Sequence, residues 1–166
     1  MKQTEVLFTR TNSVGGRIAR ILRSSRRSID AALYRLSQPG LARALSQAVV
    51  RGVSVRVILD RKKFKLTPAT QDLVARWNIS YRLMSGPHGR YAKMHHKMAI
   101  VDGETALTGS YNWTDESEKS NFENLVIIRD SEQVKRFARE FEALWSRAGK
   151  SGTRPRSRRA PKVPSR

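Results

Sequence analysis

The stretch KMHHKMAIVDGETALTGSYNW, residues 93–113, sets two histidines, a lysine and an aspartate into an apolar run. Read as a strand over 94–101, side chains two apart share a face, so His95 and Lys97 point together. His96 turns away with Met98 and Ile100. An imidazole beside an ammonium suits a phosphodiester: Lys97 binds a nonbridging oxygen while neutral His95 attacks phosphorus, its other ring nitrogen open to a carboxylate. Asp102 falls at the strand's end, before a turn through Gly103, and reads as a brace.

Beyond the next strand, GSYN offers Gly109 for close backbone approach, Ser110 as a hydroxyl and Asn112 as an amide donor for a second phosphate oxygen. NFEN then places Glu123 ahead of the apolar run Leu125, Val126, Ile127 and Ile128, where a carboxylate wants a partner. No metal ligand set is expected, because adjacent strand histidines face opposite ways and cannot share one ion. His96 reads as a packed or strand-facing histidine and His88 as a loop histidine.

Strands and helices must bring these groups together. EVLFT (5–9), SIDAALYRL (28–36) and the alternating VSVRVILD (53–60) read as strands, with further strands at 79–84, 104–108 and 122–128. Between them lie a helix from Ser13, one over QPGLARALSQAVVRG stopped by Gly52, and one at 68–77. A last helix at 131–147 lines up Val134, Phe137, Phe141, Leu144 and Trp145 on one face. The order predicts an α/β fold: a mixed, partly parallel sheet flanked by helices on both faces, in a single domain, with a hairpin at 94–108.

Charge bounds the partners. The 166 residues carry 33 Lys and Arg against 14 Asp and Glu, a net +19. Residues 148–166 hold seven of those bases and no acid, and read as a basic, Pro/Arg-rich disordered tail. Without them 26 bases still face the same 14 acids, so the folded part is itself basic and a polyanionic partner is expected. Two readings of the tail stand side by side, an arm for nucleic acid or anionic lipid and a solubilising end. The other face of the first helix carries Arg17, Arg20, Arg23, Arg26 and Arg27, which is usually a solvated face and only sometimes a phosphate-binding one. No cysteine is present, which excludes disulfides and thiolate zinc sites. An acid and several polar residues interrupt the N-terminus, so neither a signal peptide nor a membrane span is expected, and a cytoplasmic protein is.

HHKMAIVDGETALTGSYNWT and SNFENLVII together resemble the HKD motif of the phospholipase D superfamily, with His95, Lys97 and Asp102 as its namesakes. IDAALYRLSQPGLARALSQAVVRGVSVRVILD resembles the N-terminal half of that family's catalytic domain, so the likeness covers about residues 5–147. The resemblance implies a phospholipase D-like catalytic domain over 1–147 with no cofactor. Only one motif copy is present, as in the short branch that includes bacterial Nuc-type endonucleases and the mitochondrial cardiolipin hydrolase/Zucchini nucleases.

Such members work as homodimers, in which His95 of one copy would form a phosphohistidine and His95 of the other would serve as general acid and then base. The resemblance further implies that Lys97 and Asn112 grip the phosphate, Ser110 lines the site, Glu123 orients the His95 imidazole and Asp102 stays structural. The expected substrate is DNA or RNA. An anionic phospholipid at a membrane surface, and a binding module without chemistry, are the alternatives. Arg90, Tyr91 and Lys93 are read either as nucleic-acid backbone contacts or as a solvated loop, and Trp113, with Tyr111, either as a base-stacking platform or as a wedge in the turn.

Overall fold

The computed structural model describes residues 4–88 and 91–149. Seven strands form one sheet: β1 (Thr4–Phe8), β2 (Ser28–Leu33), β3 (Ser54–Asp60), β4 (Tyr81–Met84), β5 (Lys97–Val101), β6 (Thr105–Gly109) and β7 (Asn124–Ile128). Their spatial order is β1-β7-β6-β5-β2-β3-β4. β2, β3 and β4 run parallel, joined by the crossover helix α2 (Pro39–Val50) and by the pair α3 (Arg61–Leu66) and α4 (Pro68–Arg76). The β2–β5, β5–β6, β6–β7 and β7–β1 pairs are antiparallel. The mixed sheet expected from the element order is therefore what forms.

Two apolar layers sandwich it. On one face, Val14, Ile18, Ile21 and Leu22 of α1 (Val14–Ser24) and Leu41 and Leu45 of α2 pack against Leu33, Val57, Leu59, Leu107 and Ile127. On the other, Val134 and Phe141 of α6 (Ser131–Arg147) cover Ala32, Ile58, Met98 and Ile100. Alternation along each strand serves both layers at once, which is why these strands read as apolar runs.

Two helices were not expected. In α3, RKKFKL has no apolar period, and the turn exists because Asp60 caps it, accepting from the Lys63 N–H at 2.8 Å. α5 (Asp115–Lys119) is one turn capped by Thr114. The strand expected over 94–101 begins at Lys97, so His95 and His96 precede the ladder. At the C-terminal boundary Ala148 is buried and Gly149 bridges to Leu83, two residues past the expected domain edge. Residues 150–166 of the tail lie outside the described residues.

Candidate active site

The β5–β6 hairpin sets the frame. Asp102 and Gly103 both take positive φ, 57° and 68°, and the Glu104 N–H returns to the Val101 carbonyl at 3.0 Å, the two-residue turn that an Asp-Gly pair favours. The Asp102 carboxylate accepts from the backbone N–H groups of Arg26, Arg27 and Ser28 at 2.7–3.1 Å. Burial pushes its pKa up, but the hydrogen bonds from Ser28, Arg27 and Arg26 outweigh this and hold it below the usual aspartate range. It ties the hairpin to the entry of β2.

Register then collects the site at the opposite end of the sheet. Ala99 pairs with Leu107 and Leu33 with Lys97; continuing the β5–β6 ladder sets Lys97 opposite Gly109, which pairs with Leu125. Lys97 thus shares the α1/α2 face with Leu33 and Leu125, while His96 takes the other face, 3.6 Å from Glu140 of α6. A side chain at Gly109 would put Cβ 2.3 Å from the Asn124 carbonyl oxygen, so only glycine lets β6 close onto β7 here.

His95 and Lys97 meet as the spacing predicts. The Lys97 ammonium lies 3.1 Å from Nδ1 and 3.3 Å from Nε2 of His95 and donates to its carbonyl oxygen at 2.8 Å. The Tyr34 ring is a common wall, 4.3 Å centroid to centroid from His95 and 5.1 Å from the ammonium. Burial first, then the charges of Lys97 and Lys93, hold His95 below the usual histidine pKa, with Asp60 opposing. Burial likewise lowers Lys97, and Glu123 resists it. A neutral imidazole beside a cation is the state in which a ring lone pair can attack phosphorus.

Glu123 departs from expectation. Its carboxylate accepts from Ser110 at 2.5 Å and from Ser117 and Asn121 at 3.2 Å, and no hydrogen bond joins it to His95. Thr9 locks its backbone in both directions. Three hydroxyl and amide donors, all from the connection between β6 and β7, fix this carboxylate against Ser110. Among the described residues the Asn112 side chain has no hydrogen-bond partner, and its Oδ1 is buried.

Trp113 is corrected outright. At 2 % exposure it cannot stack on a base; its carbonyl accepts from Ser37 and Gln38, and its ring fills the core beside Tyr111, itself 1 % exposed. Both are wedges, because the turn after β6 docks on the β2–α2 connection, where Leu36 bridges Trp113 and the Arg35 carbonyl accepts from the Trp113 N–H. Tyr111 donates to Glu118, and burial followed by that contact drives its pKa up. Tyr91 and Lys93 are exposed, with the Lys62 ammonium 5.3 Å from the Tyr91 ring centroid, whereas Arg90 lies outside the described residues.

Sequence reasoning missed Asp60. Its side chain, in a residue 1 % exposed, accepts from Lys63 with one oxygen and from the Met94 N–H, at 3.0 Å, with the other. It therefore anchors the residue immediately before His95 to the end of β3. The only signal was an acid closing an apolar strand. Beside this anchor a cleft of about 600 Å³, lined by Pro87, His88, Lys93, His95, His96 and Glu140 among others, opens next to the imidazole.

A family model described as cardiolipin synthase, PLD-like domain, matches residues 18–145. The chain belongs to the phospholipase D superfamily. Within that superfamily it is 39% identical to human mitochondrial cardiolipin hydrolase over 129 residues, which are 78% of this chain and 50% of that protein. It is 36% identical to the Xenopus tropicalis protein of the same name, covering 87% and 67%. The chain thus spans about half to two thirds of the length of these curated relatives. The fold matches Nuc, a phospholipase D family member from Salmonella typhimurium, at TM-score 0.77 and 25% identity, covering 88% of this chain and 95% of that one. NucT from Helicobacter pylori matches at TM-score 0.80 and 21% identity, covering 87% and 96%.

Proposed function

We propose that this superfamily member is a metal-independent phosphodiesterase that hydrolyses nucleic-acid phosphodiester bonds through a phosphohistidine on His95. The observation that carries the reading is the imidazole of His95, its pKa pushed down by burial and by the charges of Lys97 and Lys93, held against the Lys97 ammonium on the Tyr34 ring. Lys97 and the Asn112 NH2 group donate to the nonbridging oxygens, with Ser110, held by Glu123, lining the site.

The His95 ring nitrogen attacks phosphorus, the P–O bond to the leaving group breaks, and that oxygen takes a proton from a general acid. Water then attacks the phosphohistidine, gives a proton to the same group and frees His95. The general acid is His95 of a second copy: of the two other histidines lining this cleft, His96 faces Glu140 of α6 and His88 sits on the loop after β4. Net positive charge on the folded part supports a polyanionic substrate.

A second reading is hydrolysis of an anionic phospholipid, favoured by the name cardiolipin hydrolase carried by relatives up to 39% identical. Among the described residues no helix is long and apolar enough to cross a membrane. Single- and double-stranded DNA and RNA, bis(p-nitrophenyl) phosphate and cardiolipin liposomes, each assayed in EDTA with the wild type and His95→Ala, separate the readings. Cleavage of nucleic acid by the wild type alone is expected. Release of phosphatidic acid without nucleic-acid cleavage selects the lipid, and identical behaviour of both proteins on every substrate removes the chemistry.

A further inference from the structure

At the end of the sheet away from His95, a cleft of about 620 Å³ opens between α1 and the β5–β6 turn. Five arginines line it: Arg17 and Arg20 from α1, Arg26 and Arg27 from the turn into β2, and Arg129 just past β7. Two acids line it too, and neither is left over. Asp102 is spent on backbone N–H groups and Glu104 on Arg27, while Glu5, nearby on β1, pairs with Arg17 and lies 3.8 Å from Arg129. Arg20 and Arg26 have no ion-pair partner among the described residues, and both are exposed.

Holding Arg20 and Arg26 uncompensated beside three further arginines costs stability through mutual repulsion. All five are arginine, whereas the bases whose charge acts on His95 are Lys97 and Lys93. A guanidinium presents a planar fork that matches two phosphate oxygens, which a lysine point charge does not. β5 separates the two places by four residue rises, about 13 Å, so the cleft cannot grip the phosphate that His95 attacks. None of the large apolar side chains exposed elsewhere on the described surface lines it, and a surface that beds into lipid needs such residues.

We propose that this arginine cleft is a second, non-catalytic phosphate-backbone site that holds nucleic acid away from the scissile bond. The identity of the partner rests on the nucleic-acid reading above; the binding itself needs no chemistry. The test uses the full chain carrying His95→Ala, so that DNA is bound and not cut, with a labelled duplex titrated at several salt concentrations.

Adding R20A/R26A is expected to weaken binding and to make the plot of log affinity against log salt shallower by about 1.8, the release expected for two phosphate contacts. R20K/R26K, which keeps both charges, is expected to restore most of that slope. The pair R43A/R76A, on exposed positions of α2 and α4 outside the cleft, serves as the control for general charge. An unchanged slope in R20A/R26A, or an equal loss in R43A/R76A, overturns the site.

So does R20A/R26A loosening vesicles of phosphatidylcholine with phosphatidylserine while leaving duplex binding intact. With His95 restored, hydrolysis of bis(p-nitrophenyl) phosphate is expected to be the same with and without R20A/R26A. Absence of that hydrolysis in both, with the slope change present, defeats the catalytic reading and leaves the cleft standing.

Discussion

Asp60→Asn tests whether a buried carboxylate at the end of β3 positions His95, the proposed nucleophile. Asp60 spends one oxygen on the Lys63 N–H and the other on the Met94 N–H, in a residue 1 % exposed. Asparagine is isosteric and a good cap, so Oδ1 retains one bond, but its amide then confronts the other N–H donor to donor. Leaving a buried donor unsatisfied costs about 1–3 kcal/mol. For a chain of this size that is a fall in Tm of roughly 2–12 °C.

If Met94 is the bond that breaks, His95 loses its anchor. Turnover of bis(p-nitrophenyl) phosphate should then fall with little change in KM, since misplacement affects the attacking atom and not the phosphate grip. The charge adds a second signature. Asp60 raises the pKa of His95 against burial and the two lysines, so its removal lowers that pKa further and moves the acid limb of kcat/KM to lower pH. Histidine NMR titration and pH–rate profiles of the two proteins measure this directly. A lowered Tm with unchanged kcat and an unmoved acid limb would refute the positioning argument and leave Asp60 as a helix cap alone.

Asp102→Ala strips three backbone N–H groups of their acceptor and should cost about 2–4 kcal/mol in urea unfolding. Because the folded pKa of Asp102 lies below its ordinary 3.8, its contribution is complete above that value and is lost as pH falls through the folded pKa; the variant should lack that part of the acid limb of stability. Gly109→Ala drives a methyl to 2.3 Å from the Asn124 carbonyl, and prying β6 from β7 should cost about 1–3 kcal/mol and disperse Ser110 and Glu123, read as joint loss of Tm and activity. Glu123→Gln keeps size but removes the charge that Ser110, Ser117 and Asn121 bond, and activity should fall tenfold or more, about 1.4 kcal/mol, with the fold retained by circular dichroism.

Much of this was legible in residue order. Strand periodicity separated His95 and Lys97 from His96, and the contacts to Lys97 on one side and Glu140 on the other follow that parity although the strand itself starts only at Lys97. Asp102 before Gly103 announced both a tight hairpin and a brace. Trp113 was not legible: an aromatic beside a polar turn has the same spacing whether it faces solvent or core, and only the docking of that turn on the β2–α2 connection buries it. Glu123 was half legible. That a carboxylate before an apolar strand needs partners is local chemistry, but which donors reach it depends on where β1 and α5 deliver Thr9 and Ser117.

What the sequence by itself determined, then, are the properties set by short-range geometry: the alternation of strands, the Asp-Gly turn, the pairing of an imidazole with an ammonium two residues on, and the excess of positive charge. Tertiary structure decided everything that needed distant segments to meet. It put Asp60 under Met94, closed β6 onto β7 at Gly109, and gathered arginines from α1, the turn into β2 and the end of β7 into one cleft. Burial is a sum over neighbours from the whole chain, so the largest cause of the depressed pKa of His95 appears only when the sheet is assembled, whereas the charges of Lys97 and Lys93 that add to it stand beside it in residue order.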